Sequence, residues 1–176
     1  GKTVTAAAQI ARRKTNTLIL VHSKALLMQW HERLSEFLDI DFTEEEISKK
    51  RGRKKVFSPV GCLDSTSNTL HGVIDIALMQ SCFENDEVKP FVKGYGMVIV
   101  DECHHVSSIT FENVLKHVTA HYVYGLTATP IRKDGLQPII FMQCGPIRFS
   151  ADAKAQIQKQ SFQRYLVPRF TSYRPV

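Results

Sequence analysis

Four short apolar runs punctuate the chain, at Thr17 to His22, Val73 to Met79, Met97 to Asp101 and Tyr122 to Thr127. Each is rich in Val, Ile and Leu, the pattern of strands buried on both faces of a sheet. Between them the period changes. From Lys24 to Leu38 the positions Leu26, Leu27, Trp30, Leu34, Phe37 and Leu38 fall three to four residues apart, on one face of a predicted helix. From Ser108 to Val118 the set Phe111, Val114, Leu115 and Val118 repeats that spacing. Strands alternating with helices of this length predict an α/β fold built on a parallel sheet with crossover helices on its faces.

The remaining stretches break the pattern. From Thr43 to Ser67 an acidic run, a basic run over 49–55 and then Pro59 and Gly61 predict an exposed loop or hairpin. The basic run fits a solvated surface, contact with a phosphate backbone, or a nuclear-localisation signal. After Pro138 the pattern is less regular, and residues 164–176, with Pro168 and Pro175, predict an extended exit. At 176 residues the chain suits one domain, and 43% hydrophobic with 23% charged residues is ordinary globular composition. No apolar run is long enough for a membrane helix, and the opening Gly1-Lys2-Thr3, without Met or an apolar leader, suggests a fragment. The four cysteines form no Cys-x-x-Cys pair, so neither zinc nor a disulfide framework is expected, and a reducing cytoplasm fits. A net charge of +6 permits a polyanionic partner.

Three segments carry chemistry. Gly1, Lys2 and Thr3 open directly onto an Ala-rich helical stretch, as in the back half of a phosphate-binding loop. There the helix N-terminus holds phosphates, Lys2 neutralises the terminal ones and the Thr3 hydroxyl ligates Mg2+, making ATP the expected ligand. About a hundred residues on, the run Val98 to Val100 ends in adjacent carboxylates. Asp101 is placed to hold the magnesium, and Glu102 to orient and deprotonate the water that attacks the γ-phosphate. The third segment, Tyr124-Gly125-Leu126-Thr127-Ala128-Thr129-Pro130, would alone be a strand terminator. As a strand end in the same parallel sheet it brings Thr127 and Thr129 toward Asp101 and Glu102, where they can couple hydrolysis to nucleic-acid grip.

Gly-Lys-Thr, Asp-Glu-Cys-His and Gly-Leu-Thr-Ala-Thr-Pro, in this order, resemble motifs I, II and III of superfamily 2 helicases of the DExH type. The segments Ile76 to Ser81 and Thr129 to Gly135 are similar to the branch holding the xeroderma pigmentosum group B repair helicase and type III restriction subunits, and Pro138 to Arg148 resembles the helicase of TOTE conflict systems. The resemblance implies a RecA-like P-loop NTPase domain over residues 1–150, lacking its N-terminal strand, with 151–176 leading toward a second RecA-like domain. In such folds the missing strand is expected in the sheet interior beside the Asp101 strand, leaving two unpaired edges. His104 matches the motif II histidine that couples the ATP site to motif III, and His105 is expected to be structural. His22 and Lys24 fall in a stretch resembling motif Ia, a nucleic-acid contact, although Ser23 and Ala25 stand where related proteins often carry Arg and Glu. Gln80 and Ser81, at a strand end, are placed to touch a phosphate backbone, and Trp30 is expected in the core.

The implied function is an ATP-dependent helicase or translocase acting on DNA, with RNA left open. An inactive DNA-binding remnant and a phosphate-loop ATPase with a non-nucleic-acid substrate are the alternatives. Because the family's second domain supplies an arginine finger, worth about a thousandfold or more in turnover, the chain by itself is expected to hydrolyse ATP poorly or not at all.

Overall fold

The computed structural model describes residues 1–39, 58, 60–104, 109–129 and 137–150. Two compact units divide the chain, Gly1–Pro146 and Ile147–Val176, and every helix and strand named here belongs to the first. The basic run, His105, the segment 130–136 and the exit 151–176 lie outside the described residues.

Helix α1 (Lys2–Arg13) forms because Ala6, Ala7 and Ala8 lose almost no side-chain freedom there, and it buries Ala6, Ala7 and Ile10. It ends at Lys14, whose left-handed backbone (φ 48°) returns its N–H to Ile10 O. Strand β1 (Thr17–Val21) follows, then α2 (Lys24–Phe37), whose first turn is capped by Ser23 accepting from Leu26 N at 3.4 Å. Strands β2 (Gly61–Leu63) and β3 (Ile74–Leu78) lead to a 3-10 turn, Met79–Cys82. A small hairpin comes next, β4 (Phe83–Glu84) and β5 (Glu87–Val88), its tip made by Asn85 and Asp86 with φ of 50° and 63°, a conformation these two residue types tolerate. Then come β6 (Met97–Asp101), α3 (Ile109–His117), β7 (Tyr122–Leu126) and α4 (Gln137–Cys144).

The main sheet has five strands in the order β2-β3-β1-β6-β7, all parallel. Alternate side chains serve opposite faces. Ile19, Val21, Ile76, Met97 and Ile99 pack with Ala6, Ile10, Leu27, Trp30 and Leu34 of α1 and α2. Leu18, Leu20, Ala77, Val98 and Val100 pack with Phe111, Val114 and Leu115 of α3 and Ile140 of α4. Helices therefore cover both faces, and the predicted double burial holds for β1 and β6, buried throughout.

Four expectations are corrected. The gap expected beside the Asp101 strand is absent, because β6 is bonded along its length to β1 on one side and β7 on the other. β7 is only half-buried, having β6 as its one strand neighbour among the described residues. Gly61–Leu63, expected in an exposed loop or hairpin, is a strand of the main sheet, parallel to β3, with Leu63 buried. The less regular stretch after Pro138 begins with a helix, α4, and Pro138 sits in its first turn, where a missing N–H leaves no bond unmade.

The order of strands fixes where a ligand can sit. After β1 the chain crosses to the α2 face, and after β6 to the α3 face. The crevice between the carboxyl ends of β1 and β6 is thus a topological switch point, the place where open parallel sheets bind ligands.

Candidate active site at the switch point

Asp101 ends β6 at that crevice and is buried, with 4% of its surface exposed. Its two oxygens have different partners. Oδ2 accepts from the indole Nε1 of Trp30 at 2.7 Å, and Oδ1 accepts from the backbone N–H of Glu102 at 2.9 Å. Lys2, in the first turn of α1, places Nζ 3.7 Å from Asp101 Oδ1 and donates to Glu102 Oε1. One ammonium therefore answers two carboxylates. Glu102 itself sits at φ 48°, a left-handed conformation that costs a non-glycine residue energy and collects at functional sites.

The other oxygen of Glu102, Oε2, lies 3.3 Å from His104 Nδ1, and that same nitrogen is 3.0 Å from the Thr127 hydroxyl. Thr127 Oγ1 in turn accepts from Thr129 N at 3.0 Å. A continuous path of contacts thus runs from Lys2 through Glu102 and His104 to the loop after β7. Thr129 enters it by its backbone, not by its hydroxyl, and its side chain is exposed. Between Glu102 and His104, the buried Cys103 thiol is held below its ordinary value by a hydrogen bond with Cys144, whose own thiol the shared bond pushes up.

At the N-terminus of α1 no side chain among the described residues caps the helix, and no acid occupies the first turn. Gly1 is exposed, and Gly1, Lys2 and Thr3 open the helix at the same edge of the sheet as Asp101. Thr3 is half-buried there. Of the residues expected to touch nucleic acid, His22 follows β1 and Gln80 and Ser81 follow β3, all at the carboxyl edge. Gln80 also lines an open groove of about 360 Å³ with Phe83, Asp86, Thr110 and Asn113. Lys24 is paired with Asp64 at 2.9 Å. Asp64 further accepts from Thr66 and Ser67, and the Thr66 hydroxyl, then Lys24, hold its carboxyl well below the usual carboxylate range.

Trp30 is in the core as expected, but its bond to Asp101 had no sequence signal beyond the rule that a buried indole N–H needs an acceptor. Nor did the pairing of Lys24 with Asp64.

Residues 1–132 match the family described as type III restriction enzyme, res subunit. The chain belongs to that family. This restriction-subunit-type domain is 30% identical over 162 residues to the DNA 3'-5' helicase XPB of Kineococcus radiotolerans, covering 92% of the chain and 27% of that protein. To the DNA 3'-5' translocase XPB2 of Sulfurisphaera tokodaii it is 28% identical over 147 residues, covering 84% of the chain and 29% of the relative. The domain thus spans under a third of either protein's length. Its fold is similar to the SWI2/SNF2 ATPase core of Sulfolobus solfataricus solved with double-stranded DNA, with a TM-score of 0.53 over 81% of the chain and 28% of that core, at 14% identity. The α/β fold is RecA-like. Among the described residues no helix is long and apolar enough to cross a membrane.

Proposed function

We propose that this domain is the ATP-binding half of a helicase or translocase that couples ATP hydrolysis to movement on DNA. The observation that carries the reading is Lys2 set against both Asp101 and Glu102 at the switch point. One ammonium and two carboxylates at this crevice make a donor set that suits phosphates, through the lysine, and a cation, through the acids.

The neighbouring groups fit the same ligands. The uncapped α1 N-terminus offers backbone N–H groups to an anion, and Lys2 neutralises terminal phosphates. Thr3 and Asp101, hard oxygen donors too few to cage a cation alone, are the residues that would hold magnesium, whose charge offsets that on the phosphate oxygens. Glu102, released by Lys2, accepts the proton of the attacking water. His104 relays the state of Glu102 to Thr127 and so to the loop after β7. His22, Lys24, Gln80 and Ser81 face nucleic acid from neighbouring strand ends, and residues 151–176 lead on to a second RecA-like domain. A cytoplasmic setting suits thiols that are all unpaired.

The test is ATP turnover by the full-length gene product, with and without DNA or RNA, beside Glu102→Gln. Nucleic-acid-stimulated turnover that the variant lowers by about 100- to 10,000-fold is expected. DNA binding without turnover would replace the motor reading by a binding remnant. Turnover indifferent to DNA and RNA would point to another substrate.

A further inference from the structure

We propose that Trp30 is a positioning residue for Asp101: its indole N–H fixes the carboxylate so that a single oxygen, Oδ1, is presented to the nucleotide-bound cation. The inference rests on the reading of the site as an ATPase centre.

A tryptophan is more than this core position requires. Leu27, Trp30 and Leu34 line the buried face of α2, and space alone could be filled there by Phe or Leu. Trp30 instead carries a polar hydrogen into a place where 2% of the residue is exposed. Such a hydrogen is costly without a partner, and the partner is a buried carboxylate at 2.7 Å, a charge-assisted bond roughly twice as strong as a neutral one. It ties the helix that follows β1 to the end of β6, across the switch point.

The geometry divides the two oxygens of Asp101. Oδ2 is turned into the core against the indole. Oδ1 faces the Glu102 N–H and Lys2, the groups that a nucleotide and its cation would rearrange. With Oδ2 held, the carboxylate cannot swing about its last torsion without losing the indole bond, so it stays a one-oxygen ligand or a one-oxygen acceptor for a bound water. Magnesium demands near-octahedral order, so a carboxylate free to rotate would hold it less well. Partners that orient a ligand in this way typically contribute 10- to 100-fold in metal affinity.

The experiment measures how tightly the full-length gene product binds a fluorescent, non-hydrolysable ATP analogue as Mg2+ is titrated, and repeats this in EDTA. Trp30→Phe removes the donor and some volume. Benzothienylalanine installed at position 30 replaces the N–H by sulfur in a ring of nearly the same shape, and so reports even if the phenylalanine variant folds poorly. The expected result is a Mg2+ midpoint raised about 10- to 100-fold in both variants with unchanged affinity in EDTA. An unchanged Mg2+ midpoint, or an equal loss of affinity with and without metal, overturns the positioning role and leaves Trp30 as packing. Should the unaltered protein bind no nucleotide at any Mg2+ concentration, it is the ATPase reading that fails, a result distinct from either of these.

Discussion

Gly125 lies where two side chains converge. A Cβ added there would stand 2.9 Å from Cys103 Sγ, closer than real contacts allow, and 3.0 Å from Cys144 Cβ, a tight contact. Gly125→Ala should therefore force β7 and α4 apart and cost about 1–3 kcal/mol, seen as a lowered thermal midpoint. An unchanged midpoint would mean that α4 does not press on β7. Two residues on, Thr127 offers a test of coupling, since valine keeps its shape and removes the hydroxyl that bonds His104 and accepts from Thr129 N. A hydrogen bond is worth about 0.5–1.5 kcal/mol, so Thr127→Val should reduce nucleic-acid stimulation of turnover by a few-fold to about tenfold and leave nucleotide binding intact. Equal loss of basal and stimulated turnover would place Thr127 in hydrolysis itself. At this scale the meeting of Lys2 with Asp101 and Glu102 follows the expectation drawn from the short segments that carry them, because each segment's pattern is local. The bond from Trp30 to Asp101 was not legible in this way, because it joins residues that only the folded sheet brings together.

Elements were legible in proportion to the strength of their period. The run Met97–Asp101 is a strand to the residue, and α2 and α3 each fall within a residue or so of the stretch their apolar spacing marked out. β2 is only three residues long, too short to show any period, and it follows a highly charged stretch. In α4 the residues Ile139, Ile140, Phe141 and Met142 are apolar in succession, which hides a helical face. β3 hides another feature, Asp75, fully buried near the amino end of the strand. It accepts from Tyr95 OH at 2.6 Å and from Gly72 N at 2.7 Å, and so ties the turn before β3 to the residue leading into β6. Burial, then the neighbouring Asp75, push the Tyr95 phenol well above its ordinary range. Tyr95→Phe should cost about 1–3 kcal/mol and leave turnover unaffected, because this end of the sheet is opposite the site. The pH dependence has a definite sign. A folded-state pKa raised above the unfolded value, about 10 for tyrosine, stabilises fully below that value and loses its contribution as pH rises beyond it. Unfolding measured from pH 8 upward should therefore find the unaltered protein losing stability more steeply than Tyr95→Phe. Parallel curves would show that the phenol does not titrate differently on folding.

For the whole molecule, the parallel sheet gathers on one edge groups that lie far apart in the chain: Lys2, His22, Lys24, Gln80, Asp101 and Thr127 all end or follow strands or begin helices there. The edge holds both acids and bases, and the chain as a whole carries +6. Binding of DNA by such a surface is driven largely by release of counterions, so its affinity should fall linearly with the logarithm of salt, with a slope of about 0.9 for each phosphate neutralised. Lys24 makes this prediction specific. Its ammonium lies on Asp64, and Asp64 is already supplied with donors by Thr66 and Ser67, so the lysine can leave without stranding the carboxylate. If it moves to a phosphate, Lys24→Ala should reduce the slope measured by fluorescence anisotropy by about 1 and weaken binding evenly across sequences. A slope unchanged by the substitution would keep Lys24 on Asp64 in the complex, and the contact with the strand would then fall to the neighbouring strand ends, His22 after β1 and Gln80 and Ser81 after β3.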